Sequence, residues 1–297
     1  MREIVFPSTY VADVQTIVDA GGTITEKFRQ IADRWETFAA RDYSVTEDLH
    51  AAILDPQASP EKVAHLRILA EAASSVTPVA EATVRNNAAA EVVAALRVEY
   101  RSVAEANYEA VRTAFNDKAD ALVNALETID AEASAEDIVK APVKTRTAWS
   151  DGPALAVELD ALVSVLHTAA ILAGKTEPTG HHNSCLIGLT VNAQGLHRRR
   201  VWEAWAKTTG RGGRWRELWK LGATIEAPAL EDAGPYREPA PMEVRTEHTG
   251  LGLRQWDHDP EDDARGGPTR RSSNNAKLEG VEMFDHVEPS ATAVRIA

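Results

Sequence analysis

Four residues in the middle of the chain are of the types that bind zinc. His181, His182, Cys185 and His197 lie close together in the sequence, and imidazole and thiolate groups are the usual zinc ligands. Their spacing is not that of a known zinc finger, and Cys185 is the only cysteine of the chain. A solvated His-His loop is therefore the favoured interpretation. We expect no bound metal, no cofactor and no disulfide framework.

The same stretch also resembles the His-Asn-His nucleases. In that family a histidine activates water beside a metal ion, and an asparagine orients it. Here the pattern would be His181-His182, then Asn192, then His197, followed by a basic helix. The last histidine comes earlier than in that family. A metal-dependent nuclease is thus kept as the second alternative function.

The strongest local pattern is a basic, tryptophan-rich segment at residues 196–220, which we name the basic hairpin. It carries eight basic and two acidic side chains, a net charge of +6 in a chain of net charge −13, and four of the seven tryptophans. Helical spacing predicts two short amphipathic helices, at 196–207 and 214–221, with a glycine-rich link between them. Its candidate partner-binding residues are Arg198, Arg199, Arg200, Trp202, Trp205, Arg211, Arg214, Trp215, Arg216 and Trp219.

Two interpretations of the basic hairpin are open. In the first, it docks on an acidic partner, because arginine and tryptophan dominate many interfaces and arginine forks onto carboxylates. In the second, the tryptophans form a small core with arginines stacked over them, and the arginines neutralise the acidic body of the same chain. A basic island in an acidic chain favours a protein partner, either a sister subunit or a coat-like protein. Nucleic acid is the alternative, and no membrane partner is expected.

Acidic residues alternate after the basic hairpin, at Asp257, Asp259, Glu261 and Asp263. Alternating carboxylates suggest a calcium-binding loop. However, Asp262 stands where such a loop requires glycine, and Pro268 stands where it requires glutamate. The sequence therefore predicts a solvated acidic run here.

The elements that must position these residues are mostly helices. One apolar stripe has a period of 3.6 residues, that of a straight helix, and predicts a long spine helix at about 79–131, roughly 80 Å in length. Its members are Val93, Leu96, Tyr100, Ala104, Tyr108, Val111, Phe115, Ala119, Leu122, Leu126 and Ile129.

Shorter elements surround the spine. Two short helices are predicted on its N-terminal side. The first carries Leu49, Ile53 and Leu54 and stops before Pro56, and the second is expected to bury Val63, Leu66, Leu69 and Ala73. Asp151-Gly152-Pro153 predicts the start of a helix after a connection at 142–150. Residues 186–191 are β-prone.

These patterns predict a mainly α fold, an elongated helical bundle with one spine helix, a small module of β-prone segment and helical hairpin, and an irregular C-terminal tail. The domains expected are an acidic helical bundle (1–175), a module with a short strand and the basic hairpin (176–226), and an extended or disordered tail (227–297). No signal peptide is recognisable, so a cytoplasmic or virion location is expected.

An acidic, alanine-rich helical body followed by a basic helical hairpin resembles, in layout, the internal scaffolding and auxiliary virion proteins of tailed phages. In the scaffolding proteins such a hairpin docks on coat subunits. The resemblance implies a non-enzymatic structural protein that takes part in capsid assembly through protein contacts. The chain departs from that layout in one respect, because 77 residues follow Lys220, where such scaffolds end.

Overall fold

The computed structural model describes residues 6–40, 45–75, 78–175, 182–249 and 252–263. In this part of the chain, helices predominate and the four strands are short. In chain order the elements are α1 (Pro7–Asp19), α2 (Glu26–Ala40), α3 (Val45–Leu54), α4 (Pro60–Ser75), α5 (Pro78–Arg101), α6 (Ala104–Thr128), α7 (Ala135–Val139), α8 (Val143–Leu172), α9 (His182–Thr190), β1 (Val191–Asn192), α10 (Arg198–Ala206), α11 (Gly213–Lys220), β2 (Thr224–Ile225), β3 (Glu243–Thr249), β4 (Gly252–His258) and α12 (Pro260–Asp263). The predicted mainly α fold is confirmed.

The core lies between α6 and α8, which pack along each other, with α1 lying on α8 and α5. One cluster of buried apolar side chains extends from Tyr10 in α1 to Ala227 after β2. This cluster includes α9, α10 and α11 as well as the helices before residue 175. The core is therefore continuous across the boundary expected at residue 175.

The predicted spine stripe is buried along nearly its whole length. Tyr108, Phe115 and Leu122 are 0% exposed, and of the eleven members only Ile129 is not fully buried. The helix itself is interrupted at Ser102 and Val103, so the spine consists of α5 and α6. Ser102 donates its hydroxyl to the Glu99 carbonyl (2.8 Å), which competes with helical pairing. The apolar residues of α6 continue the 3.6-residue spacing of those in α5. The sequence pattern therefore did not reveal the interruption.

The predicted start of a helix at Asp151 is wrong, because α8 begins at Val143 and runs through Pro153. A proline inside a helix lacks the N–H that would donate to the carbonyl four residues earlier, here that of Trp149. Another donor satisfies this carbonyl: the Arg211 guanidinium, at 2.9 Å. A contact from a distant part of the chain thus removes one cost of the internal proline.

The β-prone segment 186–191 is also corrected, since its residues to Thr190 belong to α9 and only Val191–Asn192 forms a strand, paired with Thr224–Ile225. In α9, Ile187 is fully buried in the core. Gly188 permits a close approach: a Cβ there would lie 1.8 Å from the Gly234 carbonyl oxygen. Tyr236 then donates its N–H to the Ser184 carbonyl (2.8 Å), which fixes the chain across α9.

The described part of the C-terminal tail begins as the irregular, extended segment that was predicted and then forms a hairpin. Residues 228–242 contain no helix or strand and run along the body. They lead into an antiparallel hairpin, in which Glu243 of β3 pairs with His258 of β4, and then into the single turn of α12. Residues 264–297 lie outside the described residues.

Helix α8 is also the one helix among the described residues that is long and apolar enough to cross a membrane. Its most apolar 18-residue window has a mean hydropathy of 1.8, and 33% of that window is buried. A core helix meets the same criterion, and Leu159 and Leu166 are 0% exposed in the core. The absence of a membrane partner stays a prediction.

Replacement of Leu122 by aspartate should destabilise the fold by about 4 kcal/mol or more, because it leaves a cavity and an unpaired charge in the α6–α8 core. Urea denaturation measures this change. Asn124→Asp, at an exposed position of the same helix, is the matched control and should cost less than about 0.5 kcal/mol. Equal stability of Leu122→Asp and wild type would contradict the packing described for α6.

Candidate protein-interaction site

The basic hairpin forms two short helices close to the predicted ranges, α10 and α11. Each buries one apolar face, through Val201 and Trp205 in α10 and through Trp215 and Leu218 in α11. The glycine-rich link between them wraps around a carboxylate of the acidic body, because the backbone N–H groups of Arg211 and Gly212 both donate to one oxygen of Glu132. Gly210 has a φ of +93°, a left-handed conformation that favours glycine.

The two central tryptophans belong to the protein's own core. Trp215 is 0% and Trp205 2% exposed, and their rings pack edge to face with centroids 5.8 Å apart. Trp215 also packs against Phe115 of α6 at 5.8 Å and donates its indole N–H to the Ala156 carbonyl of α8 (3.2 Å). These contacts join the basic hairpin to α6 and α8 and remove both tryptophans from the set that could bind a partner.

Trp202 and Trp219 are half-buried and pack at the edge of the same core. The Trp202 indole N–H donates to the Arg237 carbonyl (3.3 Å), so this side chain also holds the segment that leads into the tail. These contacts match the interpretation in which the tryptophans form a small core within the chain.

Arg211 binds the connection after α6 and the first part of α8. Its guanidinium lies 3.6 Å from the centroid of the Trp149 ring and donates to the carbonyls of Trp149 (2.9 Å) and Ala131 (3.1 Å). A lysine could not make this arrangement, because only the planar guanidinium stacks and forks at once.

Arg214 and Arg216 of α11 also face groups of their own chain. Arg214 lies over the Trp205 ring at 4.6 Å, with its Nε 3.2 Å from an Asp160 carboxylate oxygen. Arg216 forks onto both carboxylate oxygens of Asp130, at 2.5 and 2.7 Å. The hydrogen bonds from Arg216 hold the pKa of Asp130 well below its ordinary value of 3.8.

Arg198 and Arg199 bind carboxylates that follow β4. Arg198 forks onto Glu261 with two contacts of 2.7 Å. Arg199 forks onto Asp259 and also donates to the Ala240 carbonyl. We name Asp259, Glu261 and Asp262 the acidic latch. Its first two members, which the sequence suggested were solvated, are therefore partners of the basic hairpin.

Glu261 is the most enclosed member of the acidic latch, at 6% exposed. Burial alone would raise its pKa, but the Ala240 N–H (3.1 Å) and the Arg198 guanidinium outweigh that effect and hold the pKa below its ordinary value of 4.5. The pKa of Asp259 is lowered as well, since Arg199 and the Glu261 N–H outweigh its burial. Both groups are therefore held as carboxylates that the arginines can bind.

Arg200, in contrast, is exposed and makes no ion pair with another described residue. It does not pair with the acidic latch, although it adjoins Arg199 in the sequence. Of the six candidate arginines, Arg200 is thus the one whose charge remains available to a partner in the described part of the chain.

The suggested zinc and nuclease residues lie in separate environments. His197 precedes α10, with its Nε2 3.2 Å from Asp262 and 3.7 Å from Asp259. His182 packs edge-on against His167, with ring centroids 4.9 Å apart, and the Asn192 side chain accepts the Gln194 N–H within its own turn. Cys185 is buried, and His181 lies outside the described residues. Across the residues that the structure describes, no group of three or more His, Cys, Asp or Glu could hold a metal ion.

The acidic residues that bind the basic hairpin could not be identified from the sequence. Asp130 and Glu132 follow α6, Asp160 lies in α8, and the acidic latch lies about 60 residues after the first turn of α10. The one signal that pointed to them was opposite charge, a row of arginines and a later row of acids. No protein-family model, no curated protein and no solved structure matches the chain significantly.

Replacement of Arg211 by lysine should destabilise the protein by about 1–3 kcal/mol, because the carbonyls of Trp149 and Ala131 lose their donor. Chemical denaturation measures the loss. The control is Arg200→Lys, an exposed position where a change below about 0.5 kcal/mol is expected. Similar stabilities of the two variants would contradict the role given to Arg211.

The pKa of Asp130 predicts how stability depends on pH. Because folding lowers this pKa, the folded state favours the charged carboxylate, and its contribution is present above about pH 4 and is lost as the pH falls toward the lowered pKa. The free energy of unfolding should therefore fall more steeply below about pH 4 in wild type than in Asp130→Asn. Urea denaturation at several pH values compares the two slopes, and parallel curves would contradict the Asp130–Arg216 pairing.

Proposed function

We propose that this chain is a non-enzymatic structural or assembly protein that acts through contacts with other protein chains, its own copies first among them. The observation that carries the proposal is a pair of hairpins that stand apart from the core. Helices α3 and α4 pack on each other, as do strands β3 and β4, and neither pair packs extensively on another described element.

The α3–α4 hairpin carries apolar side chains that no part of the described chain covers. Leu54 is 82% exposed, Ile68 64%, Ile53 60% and Leu69 40%, whereas the sequence pattern of these helices led us to expect packed apolar residues. Isolated helices shorter than about 12–15 residues are marginal in water, and α3, with 10 residues, falls below that length. A partner chain that covered these side chains would stabilise the hairpin.

The β3–β4 hairpin has the same property. A two-stranded hairpin is marginally stable by itself, and strand edges without a neighbour offer free backbone groups for pairing with another chain. Val244 and Leu253 lie on one face of the hairpin and are 65% and 55% exposed. Both hairpins are therefore suited to contacts between chains.

The alternative functions receive less support. Nucleic-acid binding through the basic hairpin needs arginines that face outward toward phosphates, whereas most of these arginines bind carboxylates or carbonyls of their own chain. A His-Asn-His nuclease needs its histidines at one site, whereas His182 and His197 contact different groups. The layout resemblance to phage scaffolding and auxiliary virion proteins agrees with an assembly role, and a virion location remains part of the proposal.

Light scattering coupled to size exclusion tests the proposal across a wide concentration range. Wild type should form species heavier than the 32.2 kDa chain as concentration rises, and the double variant Ile53→Asp with Leu54→Asp should shift the mass toward a single chain. Both positions are exposed, so helicity by circular dichroism should be unchanged.

The matched control is Ala51→Asp, which adds a charge at an exposed position of the same helix without removing an apolar side chain of comparable size. It should leave the mass unchanged. A wild-type chain that stays at single-chain mass throughout would overturn the assembly proposal.

A further inference from the structure

The segment from Ala240 to Asp263, which we name the arm, contains β3, β4 and α12. Its described contacts with the body concentrate at the first turn of α10, where the acidic latch meets Arg198 and Arg199. The Ala240 N–H and carbonyl take part in the same contact, with Glu261 and Arg199 respectively. The arm is thus held by one compact set of ion pairs and hydrogen bonds.

The first turn of α10, which we name the receptor, binds the acidic latch of the same chain through Arg198 and Arg199. Three consecutive arginines at a helix N-terminus are unfavourable, because the positive end of the helix dipole lies there. The carboxylates of Asp259 and Glu261 offset this effect, and they do so as forks that arginine recognises geometrically. His197 adds a further contact to Asp262 (3.2 Å). The first turn of α10 and the acidic latch are therefore complementary in charge and in shape.

The connection between body and arm is short and extended. Tyr236 and Arg237 are still held by α9 and α10, through hydrogen bonds with Ser184 and Trp202. Only Glu238 and Pro239 separate them from the arm. Proline fixes its own backbone and keeps the preceding residue extended, so this connection continues the chain direction and does not form a tight turn. A change of angle there would carry the whole arm to another place.

We propose that the arm is exchanged between two copies of this chain, so that the acidic latch of each copy binds the first turn of α10 of the other. The exchange rests on the proposed assembly function and names its partner. It is reciprocal, as a two-fold dimer requires, because every chain carries both receptor and latch. In the exchanged dimer the latch contacts are the same as in the single chain. The free-energy difference between the single chain and the exchanged dimer therefore lies in the connection and in new contacts of the open strand edges.

Two full-length variants test whether the latch forms between two chains. The first, Arg198→Glu with Arg199→Glu, has an acidic receptor and a wild-type arm. The second, Asp259→Lys with Glu261→Lys, has a wild-type receptor and a basic arm. Each variant repels its own arm, yet the arm of the first matches the receptor of the second. The wild-type latch can therefore form only between the two chains.

Equal amounts of the two variants should yield a 1:1 heterodimer of twice the chain mass by native mass spectrometry, whereas neither variant should form that dimer alone. The chain that carries all four substitutions restores opposite charges within itself, and it serves as the control for folding by circular dichroism. A mixture that stays at single-chain mass would overturn the exchange. If wild type nevertheless assembles, the assembly function stands without it; if wild type also stays single, both proposals fail.

Discussion

The packing of Trp215 is the contact on which the rest of the described structure depends. Its ring lies between Phe115 of α6 and Trp205 of α10, and its indole N–H reaches the backbone of α8. Burying one such ring contributes roughly 4–6 kcal/mol at ~25 cal/mol per Å² over about 150–250 Å². This is comparable to the net stability of a whole domain, so the basic hairpin is an integral part of the helical body.

The placement of charge follows from that packing. Once Trp215 brings α11 onto α6 and α8, the arginines on either side of it lie among the carboxylates of an acidic body. Partly exposed ion pairs contribute little stability individually, but arginines without partners beside a packed core would be costly. Arg211 and Arg216 therefore fork onto carbonyls and onto Asp130. The arginines of the basic hairpin are thus largely paired within the chain, whereas apolar side chains of α3, α4, β3 and β4 stay exposed.

Part of this arrangement could be predicted from the sequence. The stripe through Tyr108 and Leu122 identified the core face, because helical periodicity is a local property of the chain. The limits of α8 and α9 could not be predicted, because they depend on contacts with distant residues. Arg211 donates to the Trp149 carbonyl that Pro153 leaves without a helical partner. Gly188 lets the backbone at Gly234 pack directly against α9. In both cases tertiary packing overrode a local preference for a break or a strand.

The acidic latch shows why the partner of a charged segment cannot be identified from its composition. Alternating acids would share one face if β4 continued, but Pro260 begins a helical turn after His258. Asp259 then accepts the Glu261 N–H, as a residue before a helix does, while it also binds Arg199. One carboxylate thus closes the turn of α12 and fixes its position on α10. Both the turn of α12 and the first turn of α10 are formed by residues close in sequence, so each side of this contact is shaped locally.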